Sequence, residues 1–244
     1  MRVLRVDAVN RNFGAGMSIR GLGYAVGIVC SLIFPVALSQ NVGLGDSVIK
    51  VSPPKGFCEL DKANKTHIAW FDAASNYVKV GGFSLVALYL DCRELEESRK
   101  SNAFILTKVM IARFDKHTDR PPSQFVSEAC SQLRRGLSDE QKARISEYVT
   151  EFSKGNSSVQ NTLSLGVLDE VKGTVCYSGQ LMKAKIGTTG EVTSVYLTAG
   201  TSMGDQPIGI FQWTKYVDET SIAAALANLK IIYSDFAAAN GKTN

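Results

Sequence analysis

Residues 191–241 read EVTSVYLTAGTSMGDQPIGIFQWTKYVDETSIAAALANLKIIYSDFAAANG, and this run decides the fold. Val195, Leu197 and Ala199 alternate with Ser194, Tyr196 and Thr198, which marks a strand with two unlike faces. Gly200-Thr201-Ser202-Met203-Gly204-Asp205 reads as a turn. Ile208 to Val217 is rich in β-branched and aromatic residues and reads as a second strand. After Asp218 the apolar period changes. Ile222, Ala225, Leu226, Leu229, Ile232, Tyr233 and Phe236 fall on one face of a helix. A helix with such a face needs a sheet to cover, and the hairpin before it supplies one.

Outward from this run, the N-terminal end reads as an export leader. Arg2, Arg5, Arg11 and Arg20 precede an uncharged run from Gly21 to Ser39. Ala37 and Ser39 are the small residues of a small-x-small cleavage site, so cleavage is expected between Ser39 and Gln40. Pro35 breaks the helix just upstream. Met17 offers a second start with a compact basic region. The competing reading is an uncleaved membrane anchor, since the uncharged run approaches the length that spans a bilayer. Bulky Val29 stands before Cys30 where a lipoprotein signal carries a small residue, and no adjacent arginine pair is present. The domains expected are therefore a signal peptide at 1–39 and a single α+β domain at 40–244. The formal charge of +4 includes the four leader arginines and Asp7, a net +3, so the mature chain carries +1. That balance gives no reason to expect nucleic acid or an anionic surface as a partner.

Removing the leader removes Cys30 and leaves Cys58, Cys92, Cys130 and Cys176. An even count in an exported chain suggests two disulfides. Four cysteines admit three pairings. Cys58–Cys92 with Cys130–Cys176 is favoured because each pair then lies within one half of the chain. The spacing does not suit a metal, since no two cysteines are within four residues of each other and His67 and His117 are the only histidines. No Cys-x-x-Cys is present for a redox enzyme.

Between leader and C-terminal run the elements alternate. Gln40 to Asp46 reads as a loose terminus and Ser47 to Ser52 as a short strand. Asp61 caps a helix to about Lys79 whose stripe is Ala63, Ile68, Phe71, Ala74 and Val78, with Trp70 and Tyr77 flanking. His67 lies beside the stripe and reads as a packing residue rather than a base. Phe83 to Leu90 is apolar on both faces and expected to be central. The charged run 91–100 reads as a solvated connection to a strand at Phe104 to Phe114, antiparallel to it. Ser123 to Arg135 is helical, with Phe125, Val126, Ala129, Cys130 and Leu133 facing inward. Ser138 to Gln141 is a capping box opening a helix that Gly155 closes. A polar linker at 156–160 precedes strands at 162–168, 174–186 and 191–199.

Chemical motifs are few. Gly200-Thr201-Ser202-Met203-Gly204 matches the nucleophile elbow of serine hydrolases, but a strand rather than a helix follows it and no histidine comes after Ser202. No phosphate loop, dinucleotide fingerprint or metal cluster appears, so no catalytic residue, cofactor or metal is assigned. Trp213 and Tyr216 must lie on opposite faces of the last strand. The sum is an α+β fold: a mostly antiparallel sheet of six or seven strands covered by helices. In its order of elements, a hairpin followed by a covering helix, the mature chain resembles the PsbP/Mog1-like sandwich. That resemblance implies architecture and transfers no residue. The function expected is that of an exported, periplasmic or secreted, non-enzymatic binding or assembly factor. Its partner would be a protein or a small molecule, with the membrane touched only through the signal segment. The alternatives are a hydrolase using Ser202 with His67 or His117, and a membrane-anchored form of the same factor.

Overall fold

A computed structural model describes residues 40–44, 47–101, 105–115, 121–135, 157–186 and 190–242. The expected signal segment with Ser39, His117, the helix expected from Ser138 and the turn expected at 187–189 lie outside the described residues. Strands β3 (Phe57–Glu59), β4 (Phe83–Asp91), β5 (Lys108–Phe114), β6 (Ser157–Val171), β7 (Val175–Ile186), β8 (Gly190–Met203) and β9 (Gln206–Lys215) form one sheet in the order β3-β4-β5-β9-β8-β7-β6. Every neighbouring pair is antiparallel. Strands β1 (Gln40–Leu44) and β2 (Ser47–Val51) pair separately as a ribbon. Helices α1 (Lys65–Val80), α2 (Cys92–Ser101), α3 (Pro122–Arg134) and α4 (Thr220–Ala239) complete the α+β fold expected from the sequence.

Alternation along the strands sorts the core into two layers. On one face Val109, Ile111, Val195, Leu197, Ala199, Ile208 and Ile210 meet Ala225, Leu229, Ile232, Tyr233 and Phe236 of α4. Ile49 and Val51 of the ribbon join this layer. On the other face Leu88, Leu90, Met110, Tyr196, Phe211 and Trp213 meet Trp70, Ala74, Tyr77 and Val78 of α1. Further along that face, Val126 and Cys130 of α3 cover Cys176 and Val167. Trp213 and Tyr216 do face opposite layers.

Several local expectations are corrected. Gln40 to Leu44 is a strand rather than a loose terminus, because it pairs along its length with β2. Asn240 fixes this ribbon to the end of α4. Its Oδ1 accepts from the Lys50 N–H at 2.8 Å, and its Nδ2 donates to the Lys50 and Phe236 carbonyls at 2.9 and 2.8 Å. The cap of α1 is Asn64, whose Oδ1 accepts from the Thr66 N–H at 2.9 Å; Asp61 closes the preceding turn instead. The inner face of α1 carries His67, Trp70, Ala74, Tyr77 and Val78, while Ile68 and Phe71 are 44% and 37% exposed. Phe83–Asp91 is buried on both faces near its end, yet stands second from the sheet's edge. The short strand β3 was not expected at all.

The charged run is helix α2, not a connection. Asp91 caps it, with Oδ1 accepting from the Arg93 and Glu94 N–H groups at 3.0 and 2.9 Å. Leu95 and Ser98 are its buried side. The last hairpin turns in two residues, since Met203 pairs with Gln206 and Gly204 takes a left-handed φ of 55°. Thr201, Ser202 and Met203 therefore belong to β8.

The outermost strand, β6, is irregular. Its register slips between Val159 and Asn161, Ser164 and Gly166, and Val167 and Asp169. Near its end Asp169 is paired with Lys230 of α4, and Glu170 with Arg134 of α3 at 2.6 Å. The strand is thus gripped from both faces.

Candidate functional site

The hydrolase constellation is not assembled among the described residues. Ser202 is 1% exposed in an antiparallel pairing, opposite Pro207 and one pair from the hairpin turn. It lacks the strand-to-helix turn that lifts a nucleophile out of a sheet. His67 is 3% exposed and already engaged: its Nδ1 accepts from the Asp61 N–H at 3.0 Å, and its ring stacks on Trp70 with centroids 5.2 Å apart. Accepting at Nδ1 places the proton of the neutral ring on Nε2. Burial holds its pKa below the ordinary value, Arg99 adds to this, and Asp61 opposes it. His117 lies outside the described residues.

What the sequence did not single out is a polar and aromatic cluster between α1, α2 and the sheet. The strand register sets Lys108 opposite Trp213 and opposite Leu90. The Lys108 Nζ stands 5.2 Å from the Trp213 ring centroid. Trp213 in turn packs against Tyr196 at 4.2 Å and against Tyr77 edge-on at 5.4 Å. Tyr77 and Tyr196 share a side-chain hydrogen bond. Burial lowers the Lys108 ammonium to about 8, with Glu94 pulling the other way, and raises the Tyr77 phenol to about 12. Glu94 itself is tied down: its carboxylate accepts from the Leu106 and Thr107 N–H groups at 2.8 and 2.9 Å and from the Thr107 hydroxyl at 2.6 Å. The cluster orders α2 against β5. It contains no nucleophile paired with a base. Among the described residues no group of histidine, cysteine and carboxylate side chains could hold a metal ion.

The cysteines are drawn together in two places. Cys58 of β3 is joined to Cys92, the first residue of α2, with Cα atoms 5.1 Å apart. Cys130 of α3 is joined to Cys176 of β7, with Cα atoms 5.6 Å apart. Sequence separations of 34 and 46 residues give each bridge a loop-entropy contribution. In the chain-entropy model this is roughly 4 kcal/mol for either one. Each ties an element on the α1–α3 side of the sheet to a strand.

No family model matches the chain, and none of the curated proteins does. Among solved structures, the chain is similar to the Saccharomyces cerevisiae Ran-binding protein Mog1p at 13% identity, covering 83% of this chain and 94% of that one, with a TM-score of 0.35. At that level the likeness carries no argument about a partner.

Proposed function

We propose that this chain is an exported protein, periplasmic or secreted, that acts by binding or assembly rather than by catalysis. The reading takes residues 1–39 as a signal peptide cut between Ser39 and Gln40, and 40–244 as the mature domain. The observation that carries it is the pair of disulfide bridges, which consumes every cysteine outside the leader. Such bridges persist where the surroundings oxidise thiols. The burial of Ser202 and the prior engagement of His67 speak for binding over hydrolysis.

Intact mass of the protein recovered from its native compartment tests the reading. The expected species begins at Gln40 and is lighter than the fully reduced chain by four hydrogens. A full-length species in the cytosol with all thiols free defeats the proposal. Copurification from native extract then looks for the partner, and Ser202→Ala is expected to leave partner capture unchanged.

A further inference from the structure

The two bridges close loops of similar span, so chain entropy does not rank them. Their surroundings do. Cys130 and Cys176 are 2% and 0% exposed, sealed under α3 by Phe125, Leu133 and Val167. Cys58 and Cys92 are both half-buried. A thiolate that reduces a disulfide must reach one sulfur along the line of the S–S bond, so access governs the rate. The inner bridge presents no such approach while α3 is in place.

The outer bridge also pins a short strand at the sheet's edge. Strand β3 has three residues and pairs only with Tyr89, Leu90 and Asp91 at the sheet's edge. It is further tied by the Phe57 N–H donating to the Pro54 carbonyl at 2.9 Å, by Gln40 donating to Glu59 at 3.2 Å, by the adjoining Cys92 N–H donating to the Gly56 carbonyl at 3.0 Å, and by half-buried Phe57 and Cys58 packing on the two core layers. By contrast Cys176 lies in a twelve-residue strand paired on both sides.

We propose that Cys58–Cys92 is a redox-addressed latch on the edge of the sheet, opened by a dithiol reductant, while Cys130–Cys176 stays closed. This rests on the reading that the mature domain carries both bridges. In the exchange a thiolate of the dithiol attacks one sulfur of the bridge, the S–S bond breaks, and a mixed disulfide forms. The second thiol of the reductant then displaces the protein sulfur. Two electrons and two protons pass to Cys58 and Cys92, and the reductant leaves as its own disulfide. With the bridge open, β3 peels from β4, and the backbone groups of Leu90 and the Cys92 N–H, which face β3, exchange with water, while the Asp91 N–H stays on the Thr107 carbonyl.

The test begins with the mature protein, mapped by peptide mass without reduction. Any pairing other than these two overturns the underlying reading and the latch with it. The protein is next exposed to graded dithiothreitol under native conditions and alkylated. Cys58 and Cys92 are expected to label faster than Cys130 and Cys176 by about ten-fold or more. Equal rates, or earlier labelling of Cys130, overturn the latch and leave the paired-disulfide reading standing. Hydrogen exchange on the Cys58→Ser, Cys92→Ser double variant supplies the second measurement. Protection is expected to fall at position 58 in β3 and at Leu90 and position 92 facing it, and to hold at Asp91 and in β7 and β8. Loss of protection throughout, or at neither segment, also overturns it.

Discussion

A buried imidazole whose Nδ1 accepts a backbone N–H loses that bond when it is protonated. His67 is such a group, and its folded pKa lies below the ordinary 6.5. The unfolded chain therefore binds the proton first, and stability falls as pH drops through 6.5 toward the lower folded value. Urea midpoints are expected to decrease between about pH 7.5 and pH 5. His67→Gln keeps an acceptor without a titrating ring, so its midpoint should lose part of that slope. Identical slopes in both proteins would count against this assignment. Gly209 makes a second residue-scale case. A Cβ there would stand 2.6 Å from Cζ and 2.8 Å from Cε2 of Phe211. That ring is flanked by Phe83 and Tyr196, with centroids 5.6 and 6.1 Å away, so it has little room to yield. Gly209→Ala is expected to lower stability by about 1–3 kcal/mol in urea titration.

Among the elements, α2 depends on a few fixed bonds rather than on a broad apolar face. Glu94→Ala removes three acceptor contacts from the approach to β5 and is expected to lower stability by about 1–3 kcal/mol. Thermal unfolding of the variant measures this; an unchanged midpoint would mean that water replaces the carboxylate fully. Asn240 stands in for a neighbouring strand by pairing with both backbone groups of Lys50. Asn240→Ala is expected to cost about 1–2 kcal/mol and to speed exchange at the Lys50 amide while Leu229 in α4 remains protected. How legible each element was follows from its own pattern. The run from β8 to α4 was legible because its period changes sharply at Asp218. Helix α2 carried its signs too, with Asp91 three residues before Glu94 and Arg99 and Lys100 at the far end, but its density of charge suggested solvent. The inner face of α1 was misread because Trp70 and Tyr77 were placed beside the stripe rather than in it, although both pack against the sheet; His67, read as a packing residue, is buried there. Strands β1 and β3 have too little alternation, or too few residues, to announce themselves.

Over the whole molecule, stability leans on cross-links as well as on the two apolar layers. Replacing Cys130 and Cys176 together by serine removes a constraint of roughly 4 kcal/mol, against the 5–15 kcal/mol typical of a folded domain. A large fall in Tm is expected by calorimetry, and a fall of only a degree or two would mean that the unfolded chain is already compact. The candidate site was less legible than the fold. Ser202 stood out as a motif because Gly200 to Asp205 were read as a turn, whereas strand pairing carries it inside. Lys108 and Trp213 lie far apart in sequence, and only the β5–β9 register makes them neighbours. Register is a tertiary property, so spacing along one chain cannot disclose it. The kinked rim formed by β6 has a bearing on how copies behave together. Its slips at three points leave no long run of donors and acceptors in step, so one molecule offers another a poor template for fibril growth. Concentrated solutions should accordingly scatter light as separate particles.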